Sequence, residues 1–409
     1  MTILIQKLEL ALTPLAQKVT PEGSETKAVV HQWAHAIAYQ TSLFAVKPNV
    51  KKDLLTPANT VTEDEIMYVL EAADLFKDIA SFKAKIRKCN HLKPKATPKF
   101  TFIDLFAGIG GMRLGFQNNG GLCVFSSEFD KSAQKTYFNN HSEYPFGDIT
   151  KIKPENIPDH DVLLAGFPCQ PFSHAGVSAR SSIGLKHGFE CDTQGTLFFD
   201  IIRIALEKKP KILFLENVRN IERHDKGNTF RVIKESIAEL GYTFTHQIID
   251  SSSLVPQRRV RCYMVCVRKN LNIKFKFPEI SGDPLPLSSI LEEEVDDIYT
   301  ISDRLWNGHI NRTKRNIERG TGFTAHLADV NKPSKTIVAR YGKDGKECLI
   351  PQKNKNPRML TPKECAKLQG FPDEFIAASA RTPAYKQFGN SVAVPVIDEI
   401  AKKIIRELI

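Results

Sequence analysis

From residue 99 onward the sequence predicts a doubly wound α/β sheet, mostly parallel, on three observations. Short apolar runs with the reach of buried strands alternate with segments of helical period. A glycine cluster, Gly108, Gly110 and Gly111, falls where the first strand-like run gives way to the first helix-like one. Acids close the strand-like runs, Glu128 and Glu216 among them, and the carboxyl ends of strands are where an open sheet collects ligands.

The strand-like runs are "KFTFIDLFAG", "GLCVFSSE", "DVLLAGFP", "KILFLENV" and "RCYMVCVR". Helix-like segments fall around 112–119, 131–140, 195–208 and 228–240. Upstream, Thr62 and Glu65 form a capping box, and Ile66, Val69, Ala73, Phe76, Ile79, Phe82 and Ile86 recur at helical spacing, which predicts one helix through that stretch. It fades into the basic, proline-bearing "RKCNHLKPKATPK", read as a linker. Between about 272 and 355 the alternation breaks into prolines, polar turns and basic residues, the texture of a second, smaller domain. The expected organisation is therefore a helical N-terminal extension with its linker (1–98), a sheet domain (99–271), a smaller domain (272–355) and a C-terminal segment returning to the sheet domain (356–409).

Composition narrows the class. No apolar run approaches the ~20 residues needed to cross a bilayer, and the first residues lack a signal-peptide layout, so a cytoplasmic protein without membrane attachment is expected. The eight cysteines include no C-x-x-C pair, so neither a zinc site nor a disulfide framework is signalled. Cys262 and Cys266, in a β-like run, read as core filling. A net charge of +11 suits a polyanionic partner without proving one.

Chemistry-bearing residues cluster at the predicted strand ends. In "GFPCQPFSHAG" a cysteine stands between two prolines directly after Val162, Leu163, Leu164 and Ala165, which places Cys169 on a stiff loop where a thiol serves as nucleophile or as inert filling. The glycine turn in "FIDLFAGIGGMRLGF" is not spaced G-x-G-x-x-G, so it fits a small adenosine-type cofactor better than a dinucleotide. Glu128, after the second run, is placed to bind ribose hydroxyls, and Asp148, in "PFGDIT", to accept from an adenine amine. Glu216 and Asn217 end "FLENV", and Gln257, Arg259 and Arg261 precede the run that follows "PQRRVR". Taken singly, each of these acids reads equally as a helix cap and each arginine as surface charge.

In their order, the blocks "DLFAGIGG", "SSEFD", "GDIT", "GFPCQPFS", "GTLFFD", "ENV", "QRRVR", "QGFP" and "QFGNSV" resemble the DNA (cytosine-5)-methyltransferases, over about 100–270 and 357–409. The stretch 174–200 and the N-terminal extension look most like the Dcm branch of bacterial enzymes. The resemblance implies a Rossmann-like fold and transfer of a methyl group from S-adenosyl-L-methionine to carbon 5 of a cytosine flipped out of a short double-stranded DNA site. Cys169 is implied as the thiolate that adds to carbon 6 and Glu216 as the proton donor to the ring. Asn217 would shape the loop, while Gln257, Arg259 and Arg261 complete the catalytic set. Carried over position by position, the cofactor would lie among Phe106, Ala107, Gly108, Gly110, Glu128, Phe129, Asp148, Ile149, Pro168, Leu197, Asn390, Ser391 and Val392. DNA contacts are expected from Gln170, Ser173, Arg304, Arg312, Lys314, Arg315, Thr336 and Arg340, with Gly320, Gly322 and Gly342 allowing loops close to the duplex. The Thr336–Ile337 pair stands where the family often has Thr-Leu.

The expected partners are double-stranded DNA and S-adenosylmethionine, with a monomeric enzyme acting near the nucleoid, either beside a cognate restriction endonuclease in the same cell without a stable complex or as a solitary methyltransferase. Methylation of RNA cytosine is the alternative within the chemistry, weighed against the long 272–355 segment. A silent DNA-binding regulator is the alternative outside it, weighed against the complete set of thiol, glutamate, arginines and glycine turn. The resemblance to the Dcm branch extends into "ARYGKDGKECLI" and implies a short near-palindromic site such as CC(A/T)GG.

Overall fold

The computed structural model describes residues 3–46, 59–92, 97–168, 197–321, 325 and 327–408. The chain divides into two compact units, Met1–Ile248 with Arg261–Phe277 and Lys402–Ile409, and Ile249–Val260 with Pro278–Ala401. This partition differs from the expected four segments. The N-terminal helices share a unit with the sheet, and most of the C-terminal segment belongs with the second unit.

The first unit is built on a six-stranded sheet of order β2-β1-β3-β4-β7-β5. Its strands are β1 (Phe100–Leu105), β2 (Gly121–Ser127), β3 (Val162–Gly166), β4 (Ile212–Val218), β5 (Thr245–Asp250) and β7 (Val260–Val267). β1 pairs in parallel with β2 and β3, and β3 with β4. β7 runs antiparallel to β4, with Val218 opposite Arg261. The central strands are buried on both faces, which accounts for their unbroken apolar runs, Val162–Ala165 and Ile212–Leu215. Helices α5 (Gly111–Asn118), α6 (Lys131–His141), α7 (Leu197–Lys208) and α8 (Asn228–Glu239) fall where the periodicity placed them.

The N-terminal layer comprises α1 (Ile3–Ala16), α2 (Thr26–Tyr39), α3 (Glu63–Ala72) and α4 (Ile79–Cys89). α1 buries Ile5, Leu8 and Leu12 on one stripe, and α2 buries Trp33 fully. These residues join the core formed by Ile103, Leu105, Val124 and Phe125 of the sheet. Phe44 packs at 4.4 Å from Phe146, and the Gln32 side-chain amide donates to the Val124 carbonyl of β2 at 3.2 Å. The Thr62–Glu65 capping box is present. The single helix expected from Thr62 to Ile86 is two, because Asp74 takes a left-handed φ of 54° and Asp78 caps a new helix by accepting from Ser81 N. Helical spacing persisted across a turn that the aspartates break.

The second unit holds α9 (Asp303–Glu318), the short α10 (Tyr341–Asp344), α11 (Pro362–Leu368) and α12 (Arg381–Asn390). It also holds two small ribbons, β9 (Ile350–Gln352) antiparallel to β10 (Lys355–Arg358), and β6 (Gln257–Arg258) parallel to β8 (Ser334–Lys335). The buried Arg358 guanidinium forks onto Glu364 with both bonds at 2.8 Å. α13 (Val394–Leu408) closes the chain. Where loops approaching a duplex were expected, Gly342 lies inside α10, against the Tyr385 ring, whereas Gly320 follows α9 with a φ of 65° and open space beside it.

Candidate active site

The glycine turn is fixed from beneath. Gly110, at φ 86°, opens α5, and a side chain there would strike His141. Asp104, one residue before the end of β1, is 1% exposed and accepts from the Arg113 backbone amide in the first turn of α5. Burial pushes its carboxyl up to about 7, against the pull of Arg113 and with a smaller push from Glu128. Arg113 is also buried, and its guanidinium donates to Gln117 Oε1 at 3.1 Å, Tyr137 Oη at 2.9 Å and Glu143 Oε1 at 2.6 Å. Neither residue was singled out from the sequence. The signal was there: an aspartate inside "FIDLF" has no place in a buried strand unless it has a task at the turn.

Glu128 stands immediately beyond β2. One carboxylate oxygen accepts from Gly108 N and the other from Asp130 N, both at 2.7 Å. Burial raises this carboxyl more than the backbone amides of Asp130, Gly108 and Phe129 lower it. A carboxylate offers about four acceptor positions, so these amides leave it part of its capacity for a hydroxyl. Phe129 beside it is 77% exposed, and among the described residues other than its chain neighbours no atom lies within 4 Å of where a Gly108 side chain would begin. Phe106 takes a left-handed φ of 57° at the entrance to the turn. Asp148 follows a single parallel bridge, Ser127 to Phe146. Its Oδ1 caps a short turn through Thr150 N at 3.0 Å, and its Oδ2 takes no hydrogen bond among the described residues. Ile149 is buried behind it. An open glycine turn, a carboxylate beyond the second strand, an exposed ring and a half-free acid fit the ribose and adenine of S-adenosylmethionine.

At the neighbouring strand ends, Glu216 of β4 lies beside Gly166 of β3. Its side chain is about as buried as that of Arg261, whose Nε lies 3.1 Å from Glu216 Oε1. The antiparallel course of β7 explains the pairing. It brings the amino end of β7 to the carboxyl end of β4, so a residue opening one strand meets a residue closing the other. Asn217 Nδ2 donates to the Phe167 carbonyl at 3.0 Å, and its Oδ1 accepts from Val218 N at 2.8 Å. Pro168 is exposed and Leu197 half-buried at the start of α7. Cys169, Gln170 and Ser173 lie outside the described residues.

These observations place a cofactor-shaped turn and a buried glutamate–arginine pair along the carboxyl edge of one sheet. The model of the C-5 cytosine-specific DNA methylases matches residues 100–406. The chain belongs to that family. Among curated relatives of this DNA (cytosine-5)-methyltransferase is the type II methyltransferase M.SsoII of Shigella sonnei, 52% identical over 76% of this chain and 81% of the relative. Others are the DNA-cytosine methyltransferase of Escherichia coli K12, 40% identical over 86% and 89%, and M.HhaI of Haemophilus parahaemolyticus, 40% identical over 76% and 96%. The solved structure of S. pombe Dnmt2 matches the fold with a TM-score of 0.60 at 18% identity, over 75% of this chain and 99% of that one. The enzyme methylates cytosine carbon 5 in DNA with S-adenosylmethionine as donor.

The remaining predicted residues lie in the second unit and make a different arrangement. Arg259 is 3% exposed, and its guanidinium donates to the carbonyls of Ile337 at 3.2 Å, of Gly389 at 3.1 Å and of Ser391. Gln257 donates to the Leu368 carbonyl at 3.3 Å and accepts from Ile337 N at 2.9 Å. Both bind main chain within their own unit, and Arg259 thereby holds the stretch that carries Asn390, Ser391 and Val392. Of the expected catalytic set, Arg261 lies beside Glu216, and Arg259 and Gln257 bind main-chain groups of the second unit. Arg304, Lys314 and Arg315 are exposed on α9, and Arg312 lies 3.8 Å from Asp344. Arg340 is exposed, and the Thr336 hydroxyl donates to the Arg258 carbonyl at 2.6 Å. Within α9 the stretch 304–317 contains no acid.

Proposed function

We propose that methyl transfer proceeds through a covalent adduct of Cys169, with Glu216 as proton donor and Arg261 as the residue that orients it. The observation that carries this reading is the strand-end cluster: Glu216 held by Arg261 at 3.1 Å, and Asn217 fixing the Phe167 carbonyl two residues before Cys169. Burial pushes the Cys123, Cys262 and Cys348 thiols up to about 12 and raises Cys266 and Cys365 as well, which makes all five poor nucleophiles. The resemblance assigns the thiolate role to Cys169, which follows the third strand in "AGFPC".

In this mechanism the Cys169 thiolate bonds to carbon 6 of the flipped ring, and the displaced electron pair moves toward carbon 5 and the ring nitrogen that Glu216 protonates. S-adenosylmethionine, when bound, supplies the electrophilic methyl that carbon 5 accepts. Loss of the carbon 5 proton to water then breaks the bond from Cys169 to carbon 6 and releases the thiolate, and the ring nitrogen returns its proton to Glu216, which leaves 5-methylcytosine. Glu128 holds the ribose, Asp148 the adenine amine and Phe129 the adenine face, while Phe106, Ala107, Gly108, Gly110, Ile149, Pro168 and Leu197 line the site. Asn390, Ser391 and Val392 are assigned to the cofactor on the resemblance alone. The basic α9 grips the DNA backbone, and the second unit reads a short near-palindromic site of the CC(A/T)GG kind. The enzyme acts as a monomer at the nucleoid, alongside a cognate endonuclease.

Bisulfite sequencing of DNA from cells expressing wild type and Cys169→Ser tests the reading. Wild type should mark one short site and the variant none, while the purified variant still binds S-adenosylhomocysteine. More than about a tenth of wild-type turnover in the variant would refute covalent catalysis by Cys169.

A further inference from the structure

The family match begins at residue 100, yet the segment that carries Asp148 is held by residues far upstream of it. Between α6 and β3 the chain from Tyr144 to Ile152 has no strand partner among the described residues except the Ser127–Phe146 bridge. One side of it is fixed within the family-matched region. Arg203 of α7 donates to the Ile149 carbonyl at 2.5 Å and the Ile152 carbonyl at 2.6 Å.

The other side is fixed by the N-terminal layer. Ser24 Oγ accepts from Gly147 N at 3.0 Å. The Gly23 carbonyl lies so close to Gly147 that any side chain at 147 would collide with it, and Gly23 also approaches the Asp148 Cβ. Further back, His31 Nδ1 accepts from Tyr144 N at 3.0 Å, and the Tyr144 hydroxyl donates to Glu25 at 3.0 Å. The turn "EGSE" at 22–25 therefore clamps the peptide immediately before Asp148, an acid whose Oδ1 is already engaged and whose only freedom is the direction of Oδ2.

We infer that Ser24, through Gly147, is a positioning residue for recognition of the cofactor adenine by Asp148, so that the N-terminal layer is part of the S-adenosylmethionine site. This rests on the assignment of Asp148 to the adenine amine. With the Ser24 hydroxyl in place, the Gly147 amide is satisfied and the Asp148 backbone has one orientation. Without it, the buried amide seeks another partner and the acid loses its aim.

The test is a double-mutant cycle read by calorimetry with S-adenosylhomocysteine, together with steady-state kinetics in S-adenosylmethionine. Ser24→Ala should weaken binding about 3- to 10-fold, the loss for one net hydrogen bond, and raise KM with kcat unchanged at saturating cofactor. Ser24→Thr, which keeps the hydroxyl, should restore binding. In the Asp148→Ala background, Ser24→Ala should cost nothing more. If Asp148→Ala leaves affinity unchanged, the assignment of Asp148 fails, and the inference with it. If Asp148→Ala weakens binding but Ser24→Ala has no effect, adds its full loss on top, or only lowers the unfolding temperature, the positioning role is refuted while the Asp148 assignment stands.

Discussion

Asp104→Asn should remove a pH-dependent burden on stability that the wild-type chain carries beneath its glycine turn. The carboxyl is 1% exposed, its Oδ2 has no hydrogen-bond partner among the described residues, and the Arg113 guanidinium is turned toward Glu143, Tyr137 and Gln117. Burial therefore dominates and raises the carboxyl from 3.8 to about 7. The native state keeps this proton through a window in which the unfolded chain has lost it, so stability falls as pH rises from about 4 to about 7 and levels off above that. A gap of about three pH units, at about 1.4 kcal/mol each, puts the whole effect near 4 kcal/mol. Between pH 5 and pH 8 the wild type should lose about 2–3 kcal/mol relative to Asp104→Asn, which cannot titrate. Urea unfolding of both proteins at pH 5, 6, 7 and 8, with m-values compared to verify the same transition, measures this directly. Parallel stability profiles, differing by a constant to within about 0.5 kcal/mol, would show that Asp104 is ionised throughout and that the burial argument is wrong.

Two further outcomes concern turnover and DNA. Glu216→Gln should slow methyl transfer by roughly two to four orders of magnitude, the span for a lost general acid, with DNA affinity little changed; wild-type turnover in that variant would move the proton donor elsewhere. The double variant Lys314→Ala/Arg315→Ala should weaken cognate and unrelated duplexes alike and lower the slope of log K against log salt by about 1–2, one step for each phosphate that is no longer neutralised. An unchanged slope would remove α9 from the DNA interface.

The sheet was legible because its strands are buried on both faces and its helices on one, so apolar runs and helical period survive in the sequence without ambiguity. Glu216 and Asn217 were legible for the same reason, as polar residues at the end of an otherwise apolar run. Arg261 was visible as a charge before a strand, but its partner was not, since only the antiparallel course of β7 brings it to Glu216. Arg259, two residues away, looked equivalent and is bound to main-chain carbonyls instead. α9 went unseen because its only buried residue is His309, so the apolar stripe that announces a helix is missing, although Ser302 caps it by accepting from Leu305 N at 3.3 Å. The break between α3 and α4 was hidden by an accident of spacing across Asp74 and Asp78.

β2 forms one border of the six-stranded sheet, and on its outer side Gln32 and the N-terminal helices stand where a seventh strand would otherwise go. An open border of this kind offers main-chain groups to any other extended segment, including the same border on another molecule, and natural sheets guard against such pairing. In this enzyme the guard is the first helical layer. The family model, which matches residues 100–406, leaves that layer out. A fragment trimmed to residues 100–406 would retain every family-matched position yet bare Val124 and Phe125 beside a border paired only at the Ser127–Phe146 bridge, which makes the trimmed chain a candidate for self-association in any expression or crystallisation scheme that takes the family match as its cutting guide.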